Sequence, residues 1–461
     1  MLNDHDTIVA PATPTGGAIA IVRISGSEAI AVAERLFRGR SPLSEAAGRT
    51  VHYGSIRDGE RLVDEVLVTL FRAPHSYTGE DSVEISCHGS AYIVSEILRL
   101  ALEAGARMAS PGEFTLRAFL AGKLDLVQAE AVADLIASSS RAAHAMATNQ
   151  MRGGYSEELE GLRDKLVHLT SLLELELDFS EEDVEFADRQ ALRRTMEQIG
   201  REIDRLRSSF SLGNAIKEGV AVAIVGAPNV GKSTLLNRLL NEERAMVSEI
   251  AGTTRDVIEE RANIGGVLFR FLDTAGIRTT GDRLERMGIE RTMESIRRAQ
   301  VIIRLVDARR MDEAMPEFEV RPEQRVLTVV NKMDAAPEGF RVPEGALGIS
   351  ARQGDGIEAL CEALRSTVDT EGLYHGDAVV SNSRHYEALT AARESLGRAL
   401  AGMDEGLPAD LLSEEIRPVI RHLGEITGQI TTDEIPGNIF SNISLGTSIV
   451  DLPVTYTPLT L

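Results

Sequence analysis

The chain has 461 residues, so at about 150 residues per domain roughly three domains are expected. Its formal net charge is −22, whereas proteins that bind nucleic acid through phosphates carry a basic face. RNA binding therefore requires either a local basic patch or a partner that holds most of the RNA.

Cysteine content and hydrophobic pattern exclude several classes of protein. Two cysteines, Cys87 and Cys361, supply neither a disulfide framework nor a metal-ligand cluster. No apolar run is long enough to span a membrane, and the acidic N-terminus lacks an apolar targeting core, so a cytoplasmic protein is expected. Trp is absent and aromatic residues make up 4% of the chain, which argues against base stacking as the main activity.

Residues 1–120 predict an α+β domain. Apolar, β-rich runs alternate with one helical stretch; the strands are Ala18–Ile24, Val63–Phe71 and Val83–Cys87, and the helix is Ala91–Ala104. Three charged residues lie in or beside these elements: Arg23 at the end of one strand, Glu84 within another, and Lys123 where the next region opens. On the residues alone, each is an ordinary surface or strand-edge charge.

Residues 121–217 predict the first half of a helical domain. Apolar residues recur at steps of three and four along Leu162–Leu177 and Leu192–Phe210, as in amphipathic helices that pack in a bundle. An acidic run, Asp178–Glu185, lies between these stretches. We interpret it as a solvated loop and a helix N-terminus rather than a metal site, because acidic residues suit the positive end of a helix.

The most informative motif is a phosphate loop, Gly226–Ser233, with the pattern G-x-x-x-x-G-K-S. It follows an apolar, β-branched run that predicts a buried strand, Val220–Val225, and precedes a helical run, Thr234–Leu240. The glycines let backbone N–H groups point at phosphate oxygens, Lys232 reaches the β- and γ-phosphates, and Ser233 ligates Mg²⁺. The cofactor contacts expected from this motif are Asn229, Val230, Gly231, Lys232, Ser233 and Thr234.

Two further segments predict contacts to the magnesium ion and the γ-phosphate. Gly252–Asp256 is typical of a switch loop that orders around a triphosphate, and Thr254 is its expected Mg²⁺ ligand. The run Asp273-Thr274-Ala275-Gly276 follows the apolar strand Leu268–Leu272. Asp273 is expected to hold Mg²⁺ through water, and the Gly276 N–H to contact the γ-phosphate.

Guanine is the predicted base. Asn331-Lys332-Met333-Asp334 follows the apolar strand Val326–Val330, and a carboxylate at Asp334 accepts from both guanine N1–H and N2–H₂. Adenine lacks this donor pair and would leave the carboxylate unpaired. The Lys332 stem is expected to lie over the ring, and Ser350-Ala351 to offer a backbone N–H to guanine O6.

The residue after Asp273-x-x-Gly276 is Ile277, where Ras-like enzymes carry a glutamine that orients the attacking water. An apolar side chain cannot do this. Asn229 and carbonyl groups of Ser248–Thr253 are candidates to cage a monovalent cation beside the phosphates; the ligands expected there are Asn229, Ser248, Ile250 and Thr253. Glu285 is a candidate for orienting water, with a solvated helix residue as the alternative. The candidate catalytic residues are therefore Lys232, Thr254 and Glu285.

The phosphate loop, the magnesium-binding segments and the guanine motif together predict a GTPase domain. This pattern covers residues 218–370 and then stops. Residues 371–461 return to helical patterns, Arg384–Leu400 and Leu411–Ile426, the second with Pro418 in its middle. The GTPase domain is thus predicted to be inserted between two halves of a helical domain. The expected fold class is multidomain α/β plus α: an N-terminal α+β domain, a helical domain and a Ras-like P-loop GTPase domain.

Several segments outside the GTPase motifs are not general features of GTPases. They are Asp4–Ala10, Ala18–Gly26, Thr78–Glu84 with His88-Gly89, and Pro111–Phe114 with Lys123–Leu126. Together with the GTPase motifs, these segments resemble the MnmE (TrmE) family of bacterial tRNA-modification GTPases over nearly the whole chain.

The resemblance implies a homodimer and potassium-stimulated hydrolysis of GTP on paired GTPase domains, with Asn229 as a cation ligand and Glu285 orienting water. It implies that Arg23, Glu84 and Lys123 bind 5-formyltetrahydrofolate or a related tetrahydrofolate. The partner it implies is the flavoprotein MnmG (GidA), which would hold most of the tRNA. The implied reaction adds an aminomethyl or carboxymethylaminomethyl group to the wobble uridine.

The C-terminus departs from the family pattern. The family closes in Cys-x-Gly-Lys, whereas this chain has Ser444 and Thr447 at the corresponding positions, followed by Ser448–Leu461. Ser444 is a far poorer nucleophile than a thiolate, and Thr447 offers no charge to a folate carboxylate. We therefore expect normal GTP hydrolysis with weaker folate binding and poor tRNA modification.

Two other functions fit part of the pattern. GTPases of ribosome assembly, like Era and Der, share the GTPase motifs and the apolar residue after Asp273-x-x-Gly276, but their RNA-binding appendages are basic. A catalytically dead GTP-binding scaffold is the second alternative, and the intact Lys232, Ser233, Thr254 and Asp273 argue against it.

Overall fold

The computed structural model of the chain describes residues 6–178, 189–242, 259–272, 285–311 and 318–430. Backbone contacts divide the chain into two units, Met1–Ala137 with Gly424–Leu461, and Ser138–Leu423. None of the described helices is long and apolar enough to cross a membrane.

The first unit is built on a seven-stranded sheet of order β3-β4-β5-β6-β2-β1-β7. The strands are β1 (Ile8–Pro11), β2 (Ile19–Ser25), β3 (Phe37–Gly39), β4 (Thr50–Asp58), β5 (Arg61–Phe71), β6 (Ser82–His88) and β7 (Arg107–Met108). All neighbours pair antiparallel except β1 and β7, which are parallel. In β2 and β6, alternate residues such as Val22, Ile24, Ile85 and Cys87 are buried, which is the period-two burial of a sheet with one core face.

Helices of the first unit supply the rest of its core. Helices α1 (Ala29–Leu36) and α2 (Ala91–Glu103) pack their apolar stripes on the buried face of the sheet. Helices α3 (Glu113–Leu120) and α4 (Leu126–Ala137) form a small cluster through Leu116, Leu126 and Ala129. The three predicted strands and the predicted helix are confirmed, but Arg23 lies inside β2 rather than at its end, because pairing with β6 continues to Ser25.

The second unit contains a helical part and an inserted sheet. Within the described residues, the helical part comprises α5 (Arg141–Met151), α6 (Gly154–Asp178), α7 (Arg189–Ser208), α8 (Phe210–Glu218) and three helices that follow residue 370. The predicted apolar stripe of α7 is buried, including Leu192, Met196 and Ile203. The stripe does not continue unbroken to Phe210, because α7 ends at Ser208 and a separate helix begins at Phe210. Most of the acidic run lies outside the described residues.

The inserted part is a six-stranded sheet of order β13-β12-β11-β8-β10-β9. The strands are β8 (Val220–Val225), β9 (Glu260–Ile264), β10 (Val267–Phe271), β11 (Val301–Asp307), β12 (Arg325–Asn331) and β13 (Ala346–Gly348). Every neighbouring pair is parallel except β9 and β10. The predicted buried strand is confirmed as β8, whose six residues are all buried.

Helices accompany the strands and then return the chain to the helical part. They are α9 (Lys232–Glu242), α10 (Glu285–Arg298), a 3₁₀ turn at Met333–Ala335, α11 (Ile357–Arg365), α12 (Glu371–His375), α13 (Ser383–Asp404) and α14 (Ala409–Thr427). The segment before the inserted sheet contacts the segment after it. The Val380 N–H donates to Ser209 Oγ at 3.0 Å, and a Cβ on Gly213 would lie 2.1 Å from the Val380 carbonyl oxygen. The α/β sheet is therefore an insertion in a helical domain, as the sequence predicts.

Candidate functional site

The phosphate loop connects the carboxyl end of β8 to the first turn of α9, at the sheet edge where open parallel sheets bind ligands. Its backbone leaves no room for larger side chains at two glycines. A Cβ on Gly226 would lie 2.4 Å from the Leu305 carbonyl oxygen, and one on Gly231 would lie 2.3 Å from Asn331 Nδ2. Gly231 (φ 106°) and Asn229 (φ 62°) have left-handed backbone conformations, which glycine and asparagine tolerate best.

Lys232 closes this loop. Its ammonium donates to the carbonyl oxygens of Gly226 at 2.7 Å and Ala227 at 3.0 Å, and burial lowers the pKa of the group. Ser233 lies half-buried in the first turn of α9, Thr234 is exposed beside it, and Val230 is buried. The loop therefore places one cation and a helix N-terminus at the same point, an arrangement suited to an anion with several charges.

Asn331 ties the phosphate loop to the segment after β13. Its side-chain Nδ2 donates to the Val230 carbonyl oxygen at 2.8 Å, and its Oδ1 accepts from the Ala351 N–H at 3.0 Å. The residue is 2% exposed. The structure thus brings the phosphate loop together with Asn331, 101 residues further along the chain, and with Ala351, a further 20 residues on.

The Asp334 carboxylate is oriented by its neighbour across the turn. Ser350 Oγ donates to Asp334 Oδ1 at 2.7 Å and accepts from the Gln353 N–H at 3.2 Å. The N–H groups of Ser350 and Ala351 are both engaged, with the Asp355 carbonyl oxygen at 2.9 Å and with Asn331 at 3.0 Å. Each N–H therefore has an acceptor within the protein, and the contact of this segment with guanine O6 stays a prediction.

Asp307, which the sequence analysis did not single out, also lies at this edge. It ends β11 directly opposite Asn331 in the parallel register. The Lys332 ammonium lies 2.8 Å from Asp307 Oδ2 and 2.7 Å from the Asn229 carbonyl oxygen. Hydrogen bonds from Arg309 and Lys332 hold the pKa of Asp307 well below its ordinary value. The available sequence signal was an apolar strand that ends in a carboxylate, the same pattern that marked Asp273.

Several predicted site residues lie outside the described part of the chain. They are Ser248, Ile250, Thr253, Thr254, Asp273, Thr274, Ala275 and Gly276, with Ile277 and the tail residues Ser444 and Thr447. Glu285 begins α10, but only its backbone is described. Among the residues whose structure is described, no group of three or more His, Cys, Asp or Glu side chains is placed to hold a metal ion.

The N-terminal candidate residues all lie in the first unit. Arg23 and Glu84 are opposite each other on β2 and β6, and Arg23 Nε and Nη2 lie 2.9 and 2.8 Å from Glu84 Oε1. The guanidinium also lies over two rings, 5.3 Å from the centroid of Tyr77 and 5.6 Å from that of Phe114. Both side chains of the ion pair remain about one quarter exposed, so a ligand can reach them.

Lys123 approaches the loop that carries Tyr77. A Cβ on Gly79 would lie 3.6 Å from Lys123 Cε, and the Tyr77 hydroxyl lies 2.9 Å from Thr115 Oγ1. Lys123 itself lies between α3 and α4 rather than within a helix. The three predicted N-terminal residues therefore lie on or beside one loop.

A partly buried ion network holds this loop in place. Arg117 donates to Asp6 at 2.7 Å, to Glu80 at 3.0 Å and to Glu113 at 3.0 Å, while Arg107 donates to Asp6 and Glu113. Burial alone would raise the pKa of Glu113, but the hydrogen bonds from Arg107 and from the Ser110 N–H keep it below its ordinary value. The network anchors the loop through Glu80, which preorganises the surface around Arg23.

Comparison with known proteins adds independent information. One family model, described as the MnmE helical domain, matches residues 126–442, and another, described as the GTP-binding protein TrmE N-terminus, matches residues 7–123. A protein from Cytophaga hutchinsonii named tRNA modification GTPase MnmE is 51% identical over 453 residues, which cover 96% of this chain and 98% of the relative. A relative of the same name from Bacteroides fragilis is 49% identical, and the match covers 96% of this chain and 100% of the relative. Another from Porphyromonas gingivalis is 48% identical, and the match covers 96% of this chain and 98% of the relative.

Among solved structures, the G domain of the T. maritima FeoB iron transporter aligns with 32% of this chain and 98% of its own chain. The sequence identity is 20% and the TM-score is 0.21, a likeness too low to carry an argument.

Proposed function

Since this chain belongs to the MnmE family of tRNA modification GTPases, we propose that it acts with a flavoprotein partner on the wobble uridine of tRNA. The proposed reaction adds an aminomethyl or carboxymethylaminomethyl group, with a tetrahydrofolate as the one-carbon donor. The observation that best supports the GTPase part is the Asn331 amide, which joins the phosphate loop to the Ala351 segment. The ribosome-assembly alternative is disfavoured, because the model of the TrmE N-terminus matches residues 7–123.

GTP would be held by main-chain and side-chain groups that are already assembled. Gly231 lets the phosphate loop pack closely against Asn331, Lys232 supplies the cation, and Asp334 supplies the acceptors for guanine. Mg²⁺ would be held by Ser233 and Thr254, with Asp273 acting through water, and would neutralise charge on the phosphates. Thr274, Ala275 and Gly276 would complete the contact to the γ-phosphate.

We propose that a potassium ion takes the place of an arginine finger. Its ligands would be Asn229 and groups of Ser248, Ile250 and Thr253, and Glu285 would orient the attacking water. Asn229 supports this proposal, because it is an exposed residue of the phosphate loop and its side-chain amide oxygen is a suitable ligand for a cation.

Potassium dependence tests this part of the proposal. Replacing Na⁺ by K⁺ at fixed ionic strength should raise GTP turnover. Asn229→Gly should remove that response, and glycine is the suitable replacement because it accepts a φ of 62° without strain. Equal turnover in the two salts would contradict the cation site.

The folate would bind around Arg23, Glu84 and Lys123. A carboxylate such as Glu84 accepts from pterin N–H groups, and cations such as Arg23 and Lys123 bind glutamyl carboxylates. The rings of Tyr77 and Phe114 support this assignment, since they give the site flat apolar surface beside its charges.

Direct binding tests the folate site. Arg23→Ala should weaken binding of radiolabelled 5-formyltetrahydrofolate by roughly ten- to a hundredfold, the value of one charge-assisted hydrogen bond. Arg57→Ala is the matched control, because Arg57 is an exposed arginine of β4 in the same sheet. Unchanged affinity in Arg23→Ala would refute the site.

The remaining assignments complete the proposal. The protein would work as a cytoplasmic homodimer through its N-terminal domain, with MnmG (GidA) as the flavoprotein partner that holds most of the tRNA, in keeping with the net charge of −22. The proposed domains are residues 1–120, 121–217, 218–370 and 371–461. Ser444 and Thr447 would make the native tail a poor participant in the modification step.

A further inference from the structure

The Asp307 carboxylate is nearly buried, at 5% exposure, at the ligand-binding edge of the second-unit sheet. Its Oδ1 accepts from the backbone N–H and Nε of Arg309, each at 3.0 Å. Its Oδ2 accepts from Arg309 Nη2 and from Lys332 Nζ, each at 2.8 Å. Arg309 thus contributes three bonds within one tight turn, and Lys332 contributes one from the neighbouring strand.

The bond to Lys332 is not needed to stabilise this turn. Arg309 follows Asp307 by two residues and already engages both carboxylate oxygens. Lys332 follows the end of β12 and has a left-handed backbone, with φ at 65°. Its ammonium therefore reaches Asp307 from a different strand, and what the contact fixes is the lysine side chain.

Both ends of the Lys332 side chain are held. The backbone is fixed by the turn after β12, and the ammonium is fixed between Asp307 Oδ2 and the Asn229 carbonyl oxygen of the phosphate loop. A free lysine has among the largest rotamer entropies of any side chain. A lysine that is already held loses little of this freedom when a ligand settles on it, so the contact favours binding by preorganisation.

We propose that Asp307 is a positioning residue for guanine nucleotides, which acts by holding Lys332 stretched against the phosphate loop as a ready platform for the base. The proposal rests on the assignment of Lys332 to the guanine site. Asp307 itself does not touch the nucleotide. Its contribution appears in nucleotide affinity and in KM for GTP rather than in kcat.

A double-mutant cycle on the full chain tests this role. The dissociation constant of GDP is measured for the wild type, Asp307→Ala, Lys332→Ala and the double variant. Asp307→Ala should weaken binding by about tenfold, the scale of one hydrogen bond to a charged group. In the Lys332→Ala background the same change should have little further effect, because two residues that act through one contact are not additive.

Arg309→Ala is the matched control, since it removes the other partner of the same carboxylate and leaves the Lys332 contact in place. Its GDP affinity should stay within about twofold of the wild type. If Asp307→Ala does not fold, Asp307→Asn keeps the volume and one acceptor oxygen, and should show a smaller loss that again disappears without Lys332.

Three results overturn the proposal. Independent, multiplicative losses in the double variant would show that Asp307 does not act through Lys332. A lowered melting temperature in Asp307→Ala with unchanged GDP affinity would make the residue structural only. Unchanged affinity in Lys332→Ala would refute the guanine platform itself, and the positioning role with it.

Discussion

Removal of the Asn331 amide should weaken nucleotide binding more than removal of any single contact to the ligand. Asn331→Ala deletes the donor to the Val230 carbonyl oxygen and the acceptor for the Ala351 N–H, which lie 2.8 and 3.0 Å from the amide. Val230 and Ala351 are each 2% exposed, so water cannot replace the lost partner. Each unsatisfied buried group costs about 1–3 kcal/mol, so the total is about 2–6 kcal/mol.

This cost divides between stability and nucleotide affinity. If half of it appears in binding, about 1–3 kcal/mol corresponds to a roughly five- to 150-fold rise in the dissociation constant of GDP. The assay is a fluorescent GDP titration for the affinity, with a thermal melt of each variant to measure the loss of stability. A Cβ on Gly231 would lie only 2.3 Å from Asn331 Nδ2, so the amide also packs directly against the phosphate loop.

Asn331→Asp is the matched variant. It keeps the size of the side chain and the acceptor for Ala351, but it places an oxygen against the Val230 carbonyl oxygen. It should therefore lose the phosphate-loop contact and retain the other. If Asn331→Ala changes both GDP affinity and unfolding free energy by less than about 0.5 kcal/mol, the amide does not join the motifs as argued.

Two further predictions follow from charged groups. Asp334→Asn should shift preference from GTP toward xanthosine triphosphate in competition binding, because an amide can donate to the carbonyl that replaces the guanine amino group; retained GTP preference would exclude Asp334 as the specificity residue. Hydrogen bonds from Arg107 and Arg117 hold the pKa of Asp6 below its ordinary 3.8, so its stabilising effect is present above about pH 4 and is lost as the pH falls through the folded value. Thermal melts should show Asp6→Asn less stable than the wild type at pH 7, with the difference shrinking below pH 4; a difference independent of pH would contradict this.

Much of the nucleotide site was predictable, because its motifs encode local geometry. The apolar run Val220–Val225 and the glycines after it specify a buried strand and a phosphate loop without reference to the rest of the chain. The insertion of the sheet was also predictable from the switch between helical and strand patterns. In such cases the sequence signal and the structural element span the same few residues.

Other features depend on pairings that are distant in sequence. Asp307 gains its significance only when β11 and β12 lie side by side and bring Lys332 to it. The rings of Tyr77 and Phe114 meet Arg23 through a loop and a helix that no periodicity connects to β2. The engaged N–H of Ala351 likewise follows from the position of Asn331 across the site, which the spacing of the motifs does not specify.

The central claim is that this chain uses GTP to support modification of the wobble uridine, and mass spectrometry of tRNA nucleosides tests it most directly. Purified chain is incubated with the flavoprotein partner, GTP, a tetrahydrofolate and unmodified tRNA. Three forms are compared, each with and without GTP: the native chain, a rebuilt tail with Ser444→Cys, Thr447→Lys and a stop after position 447, and the rebuilt tail carrying Lys232→Ala. The account predicts modified uridine with the rebuilt tail and GTP, less with the native tail, and none with Lys232→Ala. Equal yields without GTP or with Lys232→Ala would contradict it.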